Sequence, residues 1–156
     1  MAVNALILGI SIFALFFIYA MVKKVRAWRY PVHNLFGVNI KRYQLIGSDV
    51  GGSTNQVTLR NKLVIGSPDA LFKCKSAKKY IIGEFKSRRY RNHVKKRERY
   101  QVILYTGVAR EQYRTNDIEG VIRYKDRTVS VPFCEDTYRW LLGLVPEYIR
   151  VESSFK

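Results

Sequence analysis

Residues 66–105 read GSPDALFKCKSAKKYIIGEFKSRRYRNHVKKRERYQVILY, and the fold turns on how this stretch divides. A strand is expected to close on Gly66-Ser67-Pro68-Asp69, where glycine and proline interrupt an apolar run. A second strand, Lys79 to Lys86, carries Glu84-Phe85-Lys86. Side chains alternate along a strand, so Glu84 and Lys86 share one face and Phe85 takes the other. The polar connection Lys73–Lys79 suits a β-hairpin, whose pairing brings Asp69 toward Glu84. From Asn92 to Gln112 the period changes. Gln101, Val102, Tyr105, Val108, Ala109 and Gln112 fall on one helical face, with Gln101 and Tyr105 one turn apart.

Outward from this stretch, Gln56–Arg60 and Leu63–Phe72 read as strands. Ile118–Tyr124 and Arg127–Phe133 read as a hairpin across Lys125-Asp126. Glu135-Asp136-Thr137 can start a last helix through Leu144, with Pro146 expected to end it. The expected order is β-β-β-α-β-β-α, an α/β fold with a mixed sheet flanked by helices. Upstream the signal is weak: Asn34–Ile46 reads as a short helix and Gly47–Thr54 as a loop.

The first segment, Val3 to Val22, reads VNALILGISIFALFFIYAMV and carries no charge. At the helical rise its length spans about 30 Å, the thickness of a bilayer core. A cleaved signal peptide would want a basic residue before the apolar run, and none is present. Lys23, Lys24, Arg26 and Arg29 follow it instead, interleaved with Trp28 and Tyr30. That flank predicts one transmembrane helix serving as an uncleaved single-span anchor in the inner (plasma) membrane, with the C-terminal side in the cytoplasm. The expected organisation is an anchor over residues 1–22 and a basic juxtamembrane segment, linker or first helix over 23–55. The folded domain then occupies 56–156.

Of 156 residues, 28 are Lys or Arg and 12 are Asp or Glu, a formal charge of +16. Such an excess fits a polyanionic partner, nucleic acid or an acidic membrane surface. Two cysteines, Cys74 and Cys134, are too few for a disulfide framework or a four-thiolate iron–sulfur cluster, so no iron–sulfur cluster is expected. No P-loop is present, so any helicase or motor would be a separate protein.

Before residue 98 the chain has only three acids: Asp49, Asp69 and Glu84. Surface acids commonly do no more than neutralise neighbouring lysines. Here two of them converge beside Lys86, a set of oxygens and an amine that suits a hard divalent cation next to a phosphodiester. The ordered set Gly66-Ser67-Pro68-Asp69, Glu84-Phe85-Lys86 and Gln101-Val102-Ile103-Leu104-Tyr105 resembles the PD-(D/E)XK nuclease superfamily, RecB-type branch. The last motif is similar to that branch's Gln-x-x-x-Tyr helix, and Ile118–Tyr124 to the strand pair that follows it. The likeness covers about residues 60 to 140. A lone Glu-x-Lys would carry no weight; the ordered set does.

The resemblance implies a restriction-endonuclease-like core and hydrolysis of DNA. It implies that Asp69, Glu84 and the Phe85 carbonyl hold Mg²⁺ or Mn²⁺. Lys86 would position or deprotonate the attacking water, and Gln101 and Tyr105 would organise the site or touch substrate. Relatives often add an upstream His or acid as a further ligand; here only His33 and Asp49 are available. The run Lys86–Arg99 holds eight Lys or Arg in fourteen positions, and it reads as a phosphate-contacting track with Arg88, Arg89, Arg91, Lys95, Lys96 and Arg97. His93 fits a surface or phosphate contact better than a base. The alternatives are a non-catalytic nucleic-acid- or lipid-binding membrane protein, and a structural subunit of a membrane complex.

Overall fold

The computed structural model describes residues 32–50 and 55–154, with side chains described through residue 146. The expected anchor over residues 3–22 lies outside the described residues. Among the described residues no helix is long and apolar enough to cross a membrane. Val32–Lys156 make one compact unit, which takes in the later part of the stretch read as a linker or first helix.

Helix α1 is Val32–Phe36, one turn and a half, and not the longer Asn34–Ile46 helix expected. Gly37, at φ +71°, ends it in the left-handed conformation that glycine adopts without steric cost, and Val38 N–H caps the His33 carbonyl at 2.8 Å. The chain then forms β1 (Tyr43–Ser48). Its partner is the well-formed strand β4 (Ala70–Cys74), with a bulge between Leu45 and Gly47. Tertiary pairing overrides a weak local helix signal here.

Strands β2 (Leu59–Arg60) and β3 (Ile65–Gly66) pair with each other in a separate two-stranded sheet. The strand expected over Leu63–Phe72 is therefore broken in two. Pro68, which has no N–H to donate, sits in the gap, where an unbroken ladder would need one. Strand β5 (Tyr80–Phe85) pairs antiparallel with β4, as the hairpin reading requires.

Helix α2 (Lys96–Tyr113) crosses over to β6 (Ile118–Arg123), which runs parallel to β5. The helix starts four residues later than its periodicity suggested, after Asn92 in a left-handed turn at φ +59°. Strand β7 (Thr128–Val131) closes a hairpin with β6. The result is a mixed five-stranded sheet in the order β1-β4-β5-β6-β7. Helix α3 (Glu135–Ser154) runs through Pro146 and does not stop there. Proline removes one helical hydrogen bond, but its own φ is helical, so a helix can continue past it.

Alternation sorts the core onto two faces. Leu71, Ile82 and Ile122 meet Val102, Ile103 and Val108 of α2. On the other face Ala70, Phe72, Ile81 and Val121 meet Val32 and Phe36 of α1. Fully burying each large aliphatic side chain is worth about 1.5–3 kcal/mol, which holds β4 and β5 rigidly between the two helices. That sandwich fixes where Asp69, Glu84 and Lys86 project.

Candidate active site

Asp69 stands two residues before Leu71, and Glu84 two after Ile82, so both belong to the α2 face of the sheet. Ala70 pairs with Gly83, which places Asp69 across from Glu84 where the ladder ends. There the Asp69 side chain replaces the missing backbone partner: the Phe85 N–H donates to its Oδ2 at 2.5 Å. The other edge of β5 faces β6, with Lys86 N–H donating to the Arg123 carbonyl at 2.8 Å. A residue's N–H and C=O leave an antiparallel strand on the same side, so the Phe85 carbonyl is directed toward Asp69 as well.

Glu84 is only 4% exposed. Lys86 Nζ donates to its Oε1 at 2.8 Å, while Oε2 is buried with no hydrogen-bond partner. Lys86 Nζ also lies 3.4 Å from Gln101 Oε1, and Gln101 Nε2 lies 3.5 Å from the Tyr105 hydroxyl, both at the long limit for a hydrogen bond. The Tyr105 ring packs directly on Gly66, where a Cβ would meet its Cε1 at 2.5 Å. Any larger residue at 66 would push the ring off. Tyr105 thus buttresses the segment that delivers Asp69.

Two carboxylates share this corner and both are pushed above the usual carboxylate range. For Glu84 the main cause is burial, with the charge on Asp69 adding to it and the Lys86 ammonium opposing it. For Asp69 burial again dominates, the Phe85 N–H and Lys86 oppose it, and the negative charge of Asp49 adds to it. Asp49, a weak candidate from the sequence, sits against the site. Its N–H donates to the Asp69 carbonyl at 3.2 Å, and Ser48 Oγ donates to the same oxygen at 2.7 Å. The β1–β4 pairing is what brings it there, a contact that no local pattern in the sequence shows.

His33 is placed elsewhere. It is buried in α1, with Nε2 3.0 Å from the Tyr43 carbonyl and its ring edge-on to Phe72, on the opposite face of the sheet. Among the described residues no group of three His, Cys, Asp or Glu side chains converges as a preformed metal cage. The donors that do converge are all oxygens, and one of them, Glu84 Oε2, lacks a partner. That set fits Mg²⁺ or Mn²⁺. Mg²⁺ in particular takes one or two carboxylates and fills its remaining positions with water and substrate phosphate.

The basic run divides into two kinds of residue. Arg89, Arg91, Lys95, Lys96 and Arg97 are exposed. Arg88 is engaged inside the fold: Nη2 donates to Glu98 Oε2 at 2.8 Å and to Oε1 at 3.0 Å. Its guanidinium also lies over the Tyr124 ring at 4.8 Å. Glu98, 7% exposed, accepts the Tyr124 hydroxyl at 2.7 Å and the Lys95 N–H at 3.3 Å as well. Burial alone would raise the Glu98 pKa; the Tyr124 and Arg88 hydrogen bonds outweigh it and hold the group below the usual range. Arg88 is a structural arginine, a role the charge count could not separate from its neighbours. His93 is exposed, with Nδ1 2.9 Å from the Arg91 carbonyl.

No protein-family model matches the chain, and no curated protein matches it. A solved structure described as "Crystal structure of SSO0001" is similar at a TM-score of 0.44 and 16% identity. The likeness covers 85% of this chain and 61% of that one, so this chain spans about three fifths of that structure's length.

Proposed function

We propose that this chain is a metal-dependent deoxyribonuclease of the PD-(D/E)XK type, with a restriction-endonuclease-like core. One observation carries the reading. In a protein of net charge +16, two carboxylates are held together at the end of a hairpin, and one oxygen of Glu84 is buried without a partner. Leaving such an oxygen unpaired costs about 1–3 kcal/mol, more when it is charged. A bound cation would remove that cost.

Asp69, Glu84 and the Phe85 carbonyl would hold Mg²⁺ or Mn²⁺. When bound, the cation supplies Lewis-acid polarisation of the phosphoryl group and a more acidic water. The chain's own groups then act around it. An ammonium has three N–H donors, and those of Lys86 face Glu84 and Gln101. The third is free to orient the attacking water or to meet the charge that builds on the phosphate oxygens. Gln101 steers the amine, and Tyr105 holds Gln101 and Gly66 in register. Hydrolysis forms a P–O bond from water and breaks the P–O bond to the leaving sugar oxygen, which takes up a proton. The exposed run Arg89–Arg97 contacts flanking phosphates.

Residues 3–22 anchor the protein in the inner membrane with the nuclease on the cytoplasmic side. Cleavage is thereby confined to DNA arriving at that surface, incoming or foreign DNA among it. Unwinding, where needed, falls to a separate helicase or membrane-complex partner.

The test is incubation of purified full-length protein with linear and circular DNA in Mg²⁺, Mn²⁺ or EDTA. Cleavage is expected with either metal and not with EDTA, and Asp69→Ala should abolish it. Cleavage indifferent to EDTA, or unaffected by that substitution, defeats the proposal. Comparing the two substrates separates endonuclease from exonuclease action.

A further inference from the structure

The domain carries a second basic surface, at the opposite end of the β4–β5 hairpin from Asp69 and Glu84. At about 3.3 Å per residue, the five to six residues between Asp69 and the turn after Cys74 separate the two ends by about 20 Å. At that far end the Lys75 N–H donates to the Arg42 carbonyl at 3.0 Å, which fastens the hairpin turn to the loop before β1. Lys41, Arg42, Lys75 and Lys78 are all exposed there, with the Lys78 Nζ also donating to the Arg114 carbonyl at 3.1 Å. The nearby acid, Asp117, is already paired with Lys79 at 3.3 Å. Beside Lys41 and Arg42 stands Ile40, an aliphatic side chain that is 55% exposed.

The chain also comes into the domain here. His33 of α1 sits 3.0 Å from the Tyr43 carbonyl, and Tyr43 pairs with Cys74 at the turn end of β4.

From this we infer that the Ile40–Arg42 loop and the Lys75–Lys78 turn form a docking surface for an anionic lipid bilayer. Clustered lysines and arginines are drawn to acidic headgroups. An aliphatic side chain among them suits the boundary between headgroups and acyl chains. A nucleic acid offers phosphates to the same charges but nothing comparable for Ile40. Docking this way turns the Asp69–Glu84 corner away from the bilayer. The inference does not depend on the nuclease reading, because it concerns a separate surface and its test measures no cleavage.

Full-length protein would be placed in nanodiscs of phosphatidylcholine alone, or of phosphatidylcholine with phosphatidylserine, and followed by hydrogen exchange. Amides of residues 38–42 and 73–79 should exchange more slowly with phosphatidylserine, and high salt should remove the difference. Each charge at the surface is worth about five-fold in partitioning. The variant Lys41→Glu, Arg42→Glu, Lys75→Glu, Lys78→Glu should therefore lose the protection completely. Ile40→Ser, which leaves every charge in place, should reduce it and covers the case in which the four-fold variant fails to fold. Equal exchange in the two lipids overturns the inference. So does protection by an added DNA duplex without any from phosphatidylserine.

Discussion

Replacing Arg88 by alanine should destabilise the domain, although Arg88 lies in what the sequence presents as a phosphate track. Its guanidinium makes two contacts of 2.8 and 3.0 Å to a carboxylate that is itself 7% exposed. Breaking a buried pair leaves an uncompensated charge, at about 3–5 kcal/mol. The Arg88 side chain is a quarter exposed, so water reaches it and the low end, about 3 kcal/mol, applies. Tyr124→Phe removes one hydrogen bond to the same charged group and should cost about 1.5–3 kcal/mol. The pH dependence has a definite sign. The Glu98 pKa is lowered in the fold, so its contribution is present above the ordinary value of 4.5 and is lost as pH falls through the lower, folded value. Urea unfolding at neutral pH, repeated toward pH 3, measures all three quantities. A loss under about 1 kcal/mol on Arg88→Ala, together with a flatter salt dependence of DNA binding, would refute the structural role and return Arg88 to the phosphate track.

Three other outcomes follow from the same geometry. Asp69 and Glu84 have raised pKa values, so their cost to the metal-free fold is absent in acid and grows as pH rises through those values. Asp69→Asn or Glu84→Gln should therefore raise metal-free stability at pH 7, with the gain disappearing in acid, while Mg²⁺ stabilises only the parent protein in thermal melts. Lys86→Ala should keep DNA affinity and lose cleavage by about 10² or more, read from single-turnover rates. Neutralising Arg89, Arg91 and Arg97, with Arg88 untouched, should lower the slope of log K against log salt by about 0.9 per lost duplex phosphate contact. An unchanged slope in binding titrations would move the DNA path elsewhere.

Much of the geometry is local in origin and was legible in the residues. The two-residue alternation of a strand sends Glu84 and Lys86 to one face, and the 3.6-residue period of a helix stacks Gln101 on Tyr105. Apolar runs on either side of a polar turn pair β4 with β5. These rules operate within a few residues, so the β4–β5 and β6–β7 hairpins, the helix between them and the α/β class could be written down in advance, while the edge strand Tyr43–Ser48 could not. The ends of the elements could not. Pro68 breaks one expected strand, and Pro146 fails to stop a helix.

Tertiary structure decided what depends on partners distant in sequence. Tyr43–Ser48 becomes a strand because β4 offers it an open edge, and that pairing is what carries Asp49 to Asp69. Arg88 and its exposed neighbour Arg89 are the same residue type in the same charge run. They differ only because Glu98 and Tyr124 close around one of them. The unpartnered oxygen of Glu84 is likewise a fact of burial, produced when α2 packs over the hairpin. Composition records how many charges a chain has. Only packing determines which of them lose water, and therefore which carry stability and which stay free for a ligand.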